Sequence, residues 1–123
     1  MSENNIFAKI IRGEIPARKV YEDDEFLAFH DIDPAAPVHI LLIPKRHIVS
    51  LQDAGPDDAE WLGRMMALIP KIALENGCRP GPEGGFRVVA NSGNDGGQEV
   101  PHLHFHILGG ERPWKPKAAA LAV

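Results

Sequence analysis

Seven residues near the C-terminal end, His102-Leu103-His104-Phe105-His106-Ile107-Leu108, alternate polar and apolar with a period of two. Successive side chains of a strand point to opposite faces, so such a stretch settles only where one face packs on a core. The spacing predicts a strand over 100–108, with Leu103, Phe105 and Ile107 turned inward and His102, His104 and His106 aligned on the other face. A strand of this kind needs a partner strand and an apolar layer. Val38 to Ile43 supplies the partner: an apolar run broken only by His39 and bounded by Pro37 and Pro44. It reads as a strand buried on both faces.

The remaining chain fills in around these two. Ile6, Phe7, Ile10 and Ile11 form one helical stripe, and Gly13 is placed to end that short helix. Residues 17–21 and 25–32 read as strands joined by the turn Glu22-Asp23-Asp24. Gly55-Pro56-Asp57-Asp58 opens a long helix, with proline near its first position and acids in the first turn. Trp61, Leu62, Met65, Met66, Leu68, Ile69 and Ile72 carry it to about Asn76. Pro70 lies inside it, where a missing amide donor predicts a kink. Residues 79–85 are a loop, 86–90 a strand, and 91–98 a polar, glycine-dense loop. Strands joined by short turns plus one long and one short helix indicate an α+β fold with an antiparallel sheet of about five strands. Residues 1–123 read as a single domain, with 111–123, containing Trp114, as a C-terminal tail.

Charge and cysteine usage narrow the partners. A net charge of −4 over 123 residues argues against nucleic acid or an anionic membrane as a partner. It leaves room for a small phosphate ligand, because a local cluster such as Lys45-Arg46-His47 acts only over a Debye length. Cys78 is the single cysteine, so no intrachain disulfide forms and a cytoplasmic setting is expected. Residues 1–13 lack the uninterrupted apolar stretch of a signal peptide, and no run is long enough to span a membrane.

Three readings of the aligned histidines compete. They are incidental residues on a solvated face, ligands of a metal, or nucleophile and donors in covalent catalysis at phosphorus. Imidazole is a common zinc ligand, but three ligands from one strand fit tetrahedral zinc poorly, and Glu99 and Glu111 are the only nearby carboxylates. A neutral imidazole is a good nucleophile near pH 7, and phosphoryl transfer requires mainly positioning and charge stabilisation. The loop Asn91-Ser92-Gly93-Asn94-Asp95-Gly96-Gly97-Gln98 favours this last reading, since its glycines let backbone amides approach a phosphate.

With these motifs assembled, the chain resembles the histidine-triad superfamily, whose signature is His-φ-His-φ-His-φ-φ with φ apolar. Residues 102–108 match all seven positions. Asp95-Gly96-Gly97-Gln98, Leu108-Gly109-Gly110, Phe29-His30-Asp31-Ile32, Pro44-Lys45-Arg46-His47-Ile48 and the opening Ile6 to Ile11 extend the likeness over nearly the whole chain to Gly110. It is most similar to the Hint branch of nucleoside phosphoramidate hydrolases. The resemblance implies His104 as the nucleophile of a nucleotidyl-histidine intermediate, flanked by His102 and His106, with His39 completing the cluster. It implies a nucleoside pocket of Phe29, His30, Asp31 and Ile32, with Asp31 accepting from ribose hydroxyls. Asn91, Gly97, Gln98 and Glu99 would lie along the phosphate and leaving group. It further implies a purine nucleotide of AMP or GMP type as substrate, no metal or cofactor, and a homodimer, which the apolar helix Trp61 to Ile72 also favours. A dinucleoside polyphosphate hydrolase and a nucleotide-binding interaction module remain as alternatives. Position 99 departs from the pattern, holding Glu where some members carry a hydroxyl residue.

Overall fold

The structure, a computed structural model, describes residues 4–111. Asn5 caps the first helix by accepting the Ala8 amide on its side-chain oxygen at 2.8 Å. Helix α1 (Ile6–Ile11) buries Phe7, Ala8 and Ile10, and Gly13 at φ +79° reverses the chain after it. Strands β1 (Lys19–Glu22), β2 (Phe26–His30) and β3 (Val38–Pro44) follow as an antiparallel meander. Two short 3₁₀ turns, Leu51–Asp53 and Pro56–Asp58, lead into helix α2 (Ala59–Glu75); the first of them was not anticipated. Strands β4 (Phe86–Val89) and β5 (Phe105–Gly109) complete a five-stranded antiparallel sheet in the order β1-β2-β3-β5-β4. The expected α+β architecture is therefore the observed one.

The sheet separates two apolar layers. On one face Phe26, Ala28, Ile40, Leu42, Leu103, Phe105 and Ile107 pack with Trp61, Met65, Ile69 and Ile72 of α2. On the other, Leu27, Phe29, Leu41 and Ile43 pack with Phe7 and Ile10 of α1. This explains why all seven residues of β3 are buried: it is a central strand covered on both sides. The long helix turns Trp61, Met65, Ile69 and Ile72 into its own core, leaving Met66 and Leu74 exposed. It runs continuously through Pro70, whose missing amide falls opposite the carbonyl of Met66 on that exposed side.

The last strand is shorter than its pattern predicts. Pairing with β3 begins at Phe105, not at residue 100. The register that pairs Leu42 with Phe105 would set Leu103 opposite Pro44, which has no amide to donate. Leu103 instead donates its amide to the Ile48 carbonyl at 2.9 Å, and the His102 ring takes the Pro44 carbonyl. The alternation survives without the ladder, since Leu103, Phe105 and Ile107 all enter the α2-side core. Among the described residues, no helix is long and apolar enough to cross a membrane.

Candidate active site

A cleft of about 650 Å³ opens on the α1 side of the sheet. Its floor comes from Phe29 and Leu41, and one wall from Ile6, Phe7 and Ile10 of α1 with Ile15, Pro16 and Ala17 of the following turn. His30, Asp31 and Ile32 extend from the end of β2, and the loop before the histidines contributes Asn91, Gly97, Glu99 and Val100. His104 and His106 present their rings to the same space.

The three signature histidines keep one side of the chain but have different surroundings. Phe7 meets the rings of His102 and His104 edge-on, at centroid distances of 6.3 and 5.0 Å, and His104 meets His106 at 5.0 Å. His102 is only 2% exposed and does not line the cleft. Its Nε2 donates to the Pro44 carbonyl at 2.8 Å, while its buried Nδ1 has no partner among the described residues. Of the three rings, His104 and His106 line the cleft, whereas His102 closes the strand end that Pro44 leaves open.

Hydrogen bonds fix the proton positions on the rings. His104 Nδ1 lies 2.7 Å from the His102 carbonyl, which accepts only, so Nδ1 carries the proton and Nε2 keeps its lone pair. A second chain starts at the Ala35 amide, which donates to His39 Nδ1 at 2.9 Å. His39 Nε2 must then carry the proton of its neutral ring, and it donates to His106 Nδ1 at 2.9 Å. The remaining nitrogen of His106, Nε2, is left as an N–H donor. Cross-strand register makes this contact possible: His106 lies opposite Leu41, so His39 is its diagonal neighbour on the same face. The site therefore pairs an open lone pair on His104 with an N–H donor on His106.

Electrostatics favour the neutral rings. Burial lowers the affinity of His104 for a second proton, partly offset by its bond to the His102 carbonyl and by Asp31. Burial, then the neighbouring His104 and His39, bring His106 from 6.5 down to about 4. His102 is lowered chiefly by burial, and His30 by burial and then by the charge of Arg18. These directions suit a nucleophile, which must be unprotonated to attack.

Other expected site residues occupy defined places. Phe29, His30, Asp31 and Ile32 line the cleft, with Phe29 buried and Ile32 94% exposed at its mouth. Asp31 serves two purposes, because Oδ1 also accepts the Asp33 amide at 2.9 Å as in a turn. His39 stands behind His106 and does not reach the cleft. Gln98 is turned away as well: its amide donates to the carbonyls of Val49 and Val100, at 2.6 and 3.0 Å, and accepts the Gly93 amide at 2.9 Å. It holds the loop in place. The basic run is likewise occupied elsewhere, with Lys45 on Glu22 and Arg46 over the Trp61 ring. Phe7 is among the cleft residues that sequence reading missed, with Ile6 and Ile10 of the same helix. The surplus of apolar side chains on so short a helix was the available signal.

Asp31, His39 and His106 bring three ligand-type atoms within 4.8 Å of one another. Asp31 Oδ2 is 3.4 Å from His39 Nε2, but His39 Nε2 and His106 Nδ1 are 2.9 Å apart. Two nitrogens on one tetrahedral zinc stand roughly 3.3 Å apart. The spacing as built is that of a hydrogen bond, and a cation would have to separate the two rings.

A HIT-domain family model matches residues 12–113. The chain belongs to the HIT-domain family. It is 47% identical over 119 residues to the purine nucleoside phosphoramidase of Escherichia coli strain K12, covering 97% of each chain. Among solved structures, a histidine triad protein from Clostridium difficile is 51% identical and superposes with a TM-score of 0.79, covering 87% of this chain and 90% of that one. A HIT family hydrolase from Legionella pneumophila is 44% identical, with a TM-score of 0.80 over 92% of this chain and 98% of that one. This HIT domain thus carries the family signature on the family fold.

Proposed function

We propose that this HIT domain hydrolyses nucleoside 5′-phosphoramidates and related acyl-nucleotides, of purine AMP or GMP type, through a nucleotidyl intermediate on His104. The observation that carries the reading is the pair of fixed tautomers in one cleft: a lone pair on His104 Nε2 beside an N–H donor on His106 Nε2. His104 Nε2 attacks the α-phosphorus, the P–N bond of the substrate breaks, and a nitrogen–phosphorus bond to His104 forms. The departing nitrogen carries the proton with which the substrate enters and leaves as the amine, while His106 Nε2–H donates to a phosphoryl oxygen. Water then attacks phosphorus, the bond to His104 breaks, and nucleoside monophosphate leaves. Amides near Asn91 and Gly97 receive the phosphoryl oxygens, and Phe29, His30, Asp31 and Ile32 the nucleoside; that all of them line one cleft supports this. The phosphoramidase relative supports the substrate class.

Rapid-quench mass spectrometry with adenosine 5′-phosphoramidate tests this. An adduct of one nucleoside monophosphate on the wild-type chain, and its loss with turnover in His104→Ala, are the expected results. Undiminished turnover by His104→Ala rules the mechanism out. The further proposals are a homodimer and an intracellular setting. Edge strand β4 leaves Phe86 and Val88 exposed, and Cys78 is a buried free thiol; these support the two in turn. Light scattering on the purified chain measures the first.

A further inference from the structure

The cleft is charged on one side only. Of the described residues that line it, Asp31 and Glu99 are acidic and none is lysine or arginine. Arg18, whose charge is felt at His30, does not reach it, and Lys45 and Arg46 are engaged elsewhere. His104 and His106 are held neutral. The α-phosphoryl group must then be received by amides and imidazole N–H groups, and any further negative charge on a substrate meets carboxylates with no cation to offset it.

The two carboxylates are not equivalent. Asp31 is tied to the Asp33 amide and faces His39. Glu99 is exposed in the cleft wall, and its carboxylate makes no hydrogen bond or ion pair among the described residues. Its backbone is nevertheless anchored on both sides. Gln98 before it is clamped to Gly93, Val49 and Val100, and Val100 after it packs against the α1-side core. A charge presented from a fixed backbone and left unpaired is one that a ligand can meet.

We infer that Glu99 selects the leaving group by charge, favouring nucleoside phosphoramidates whose departing amine bears a second, cationic group and disfavouring anionic leaving groups. The inference rests on the phosphoramidate reading above and narrows it: aminoalkyl and basic amino-acid amides are preferred, while acidic amides and dinucleoside polyphosphates are poor substrates. Two unit charges some 6 Å apart at a wet protein surface change a rate or affinity by roughly three- to tenfold.

The test compares three adenosine 5′-phosphoramidates of nearly equal length, made from 1,4-diaminobutane, butylamine and 4-aminobutanoate. The expected order of kcat/KM at low salt is ammonium, then neutral, then carboxylate, with about three- to tenfold between neighbours. In Glu99→Gln the spread should contract to less than twofold, and in wild type it should narrow at 0.5 M salt as screening shortens the reach of the charge. Because the readout is a ratio between substrates on one preparation, partial misfolding of the variant does not alter it. An unchanged spread in Glu99→Gln, or no order in wild type, overturns the role of Glu99 while leaving the hydrolase intact. Failure to turn over any of the three defeats the hydrolase reading itself, and this inference with it.

Discussion

Acid should weaken this fold through a histidine of its own cleft. Burial, followed by the two neighbouring imidazoles, holds His106 at about 4 against an ordinary 6.5, so the native ring stays neutral where the unfolded one takes a proton. Stability is then fully present above pH 6.5 and falls as pH drops toward 4, because the unfolded chain binds the extra proton. At about 1.4 kcal/mol per pH unit, a ring wholly removed from solvent would lose roughly 2 kcal/mol by pH 5. His106 is half-buried, and solvent screening reduces this to about 1 kcal/mol. The perturbation is His106→Asn, whose side-chain oxygen can still accept from His39. Urea unfolding at pH 7, 6 and 5 should show the stability of wild type declining more steeply than that of the variant, by about 1 kcal/mol across the range. The range stops at 5 because carboxylates held low by partners, such as Glu22 beside Lys45 and Glu25 beside Arg64, begin to titrate below it. Parallel curves, or an NMR titration placing His106 at 6.5 or above, would refute the reasoning.

Three further outcomes follow from the same geometry. Gln98→Ala leaves the Gly93 amide and the Val49 and Val100 carbonyls without this partner, so chemical denaturation should register a loss of about 1–3 kcal/mol, and KM should rise as the loop loosens. Gly110→Ala puts a Cβ at φ +89° and 2.8 Å from Pro37 Cβ, which should lower the unfolding free energy by about 1–3 kcal/mol. Phe7→Ala removes a 6%-exposed ring packed on Phe29 and His104, and should cost about 3–5 kcal/mol together with kcat/KM, whereas Phe7→Leu should restore most of the stability.

Much of the architecture is written locally. The apolar run of β3, the periodicity of α2 and its Gly55-Pro56-Asp57-Asp58 opening are short-range patterns, and each produced the element it describes. The alternation through residues 102–108 likewise determined which side chains enter the core, since period two holds for any extended backbone, hydrogen-bonded or not. Residue pattern and family resemblance together also picked out the polar part of the cleft: Phe29 to Ile32, Asn91, Gly97, Glu99, His104 and His106, but not its apolar wall.

What the sequence could not decide depends on contacts between distant segments. That β5 starts at Phe105 follows from Pro44 lying across from Leu103, a matter of register between strands 59 or more residues apart in the chain. The same proline carbonyl draws His102 out of the site, and the loop carbonyl of Val49 draws Gln98 away from it. Which ring nitrogen holds a proton is set by the Ala35 amide acting through His39, and by the His102 carbonyl. Residue types alone announce that imidazoles are present; only the folded backbone, by placing an acceptor at one nitrogen and a donor at another, leaves one ring with an open lone pair and its neighbour with an N–H donor.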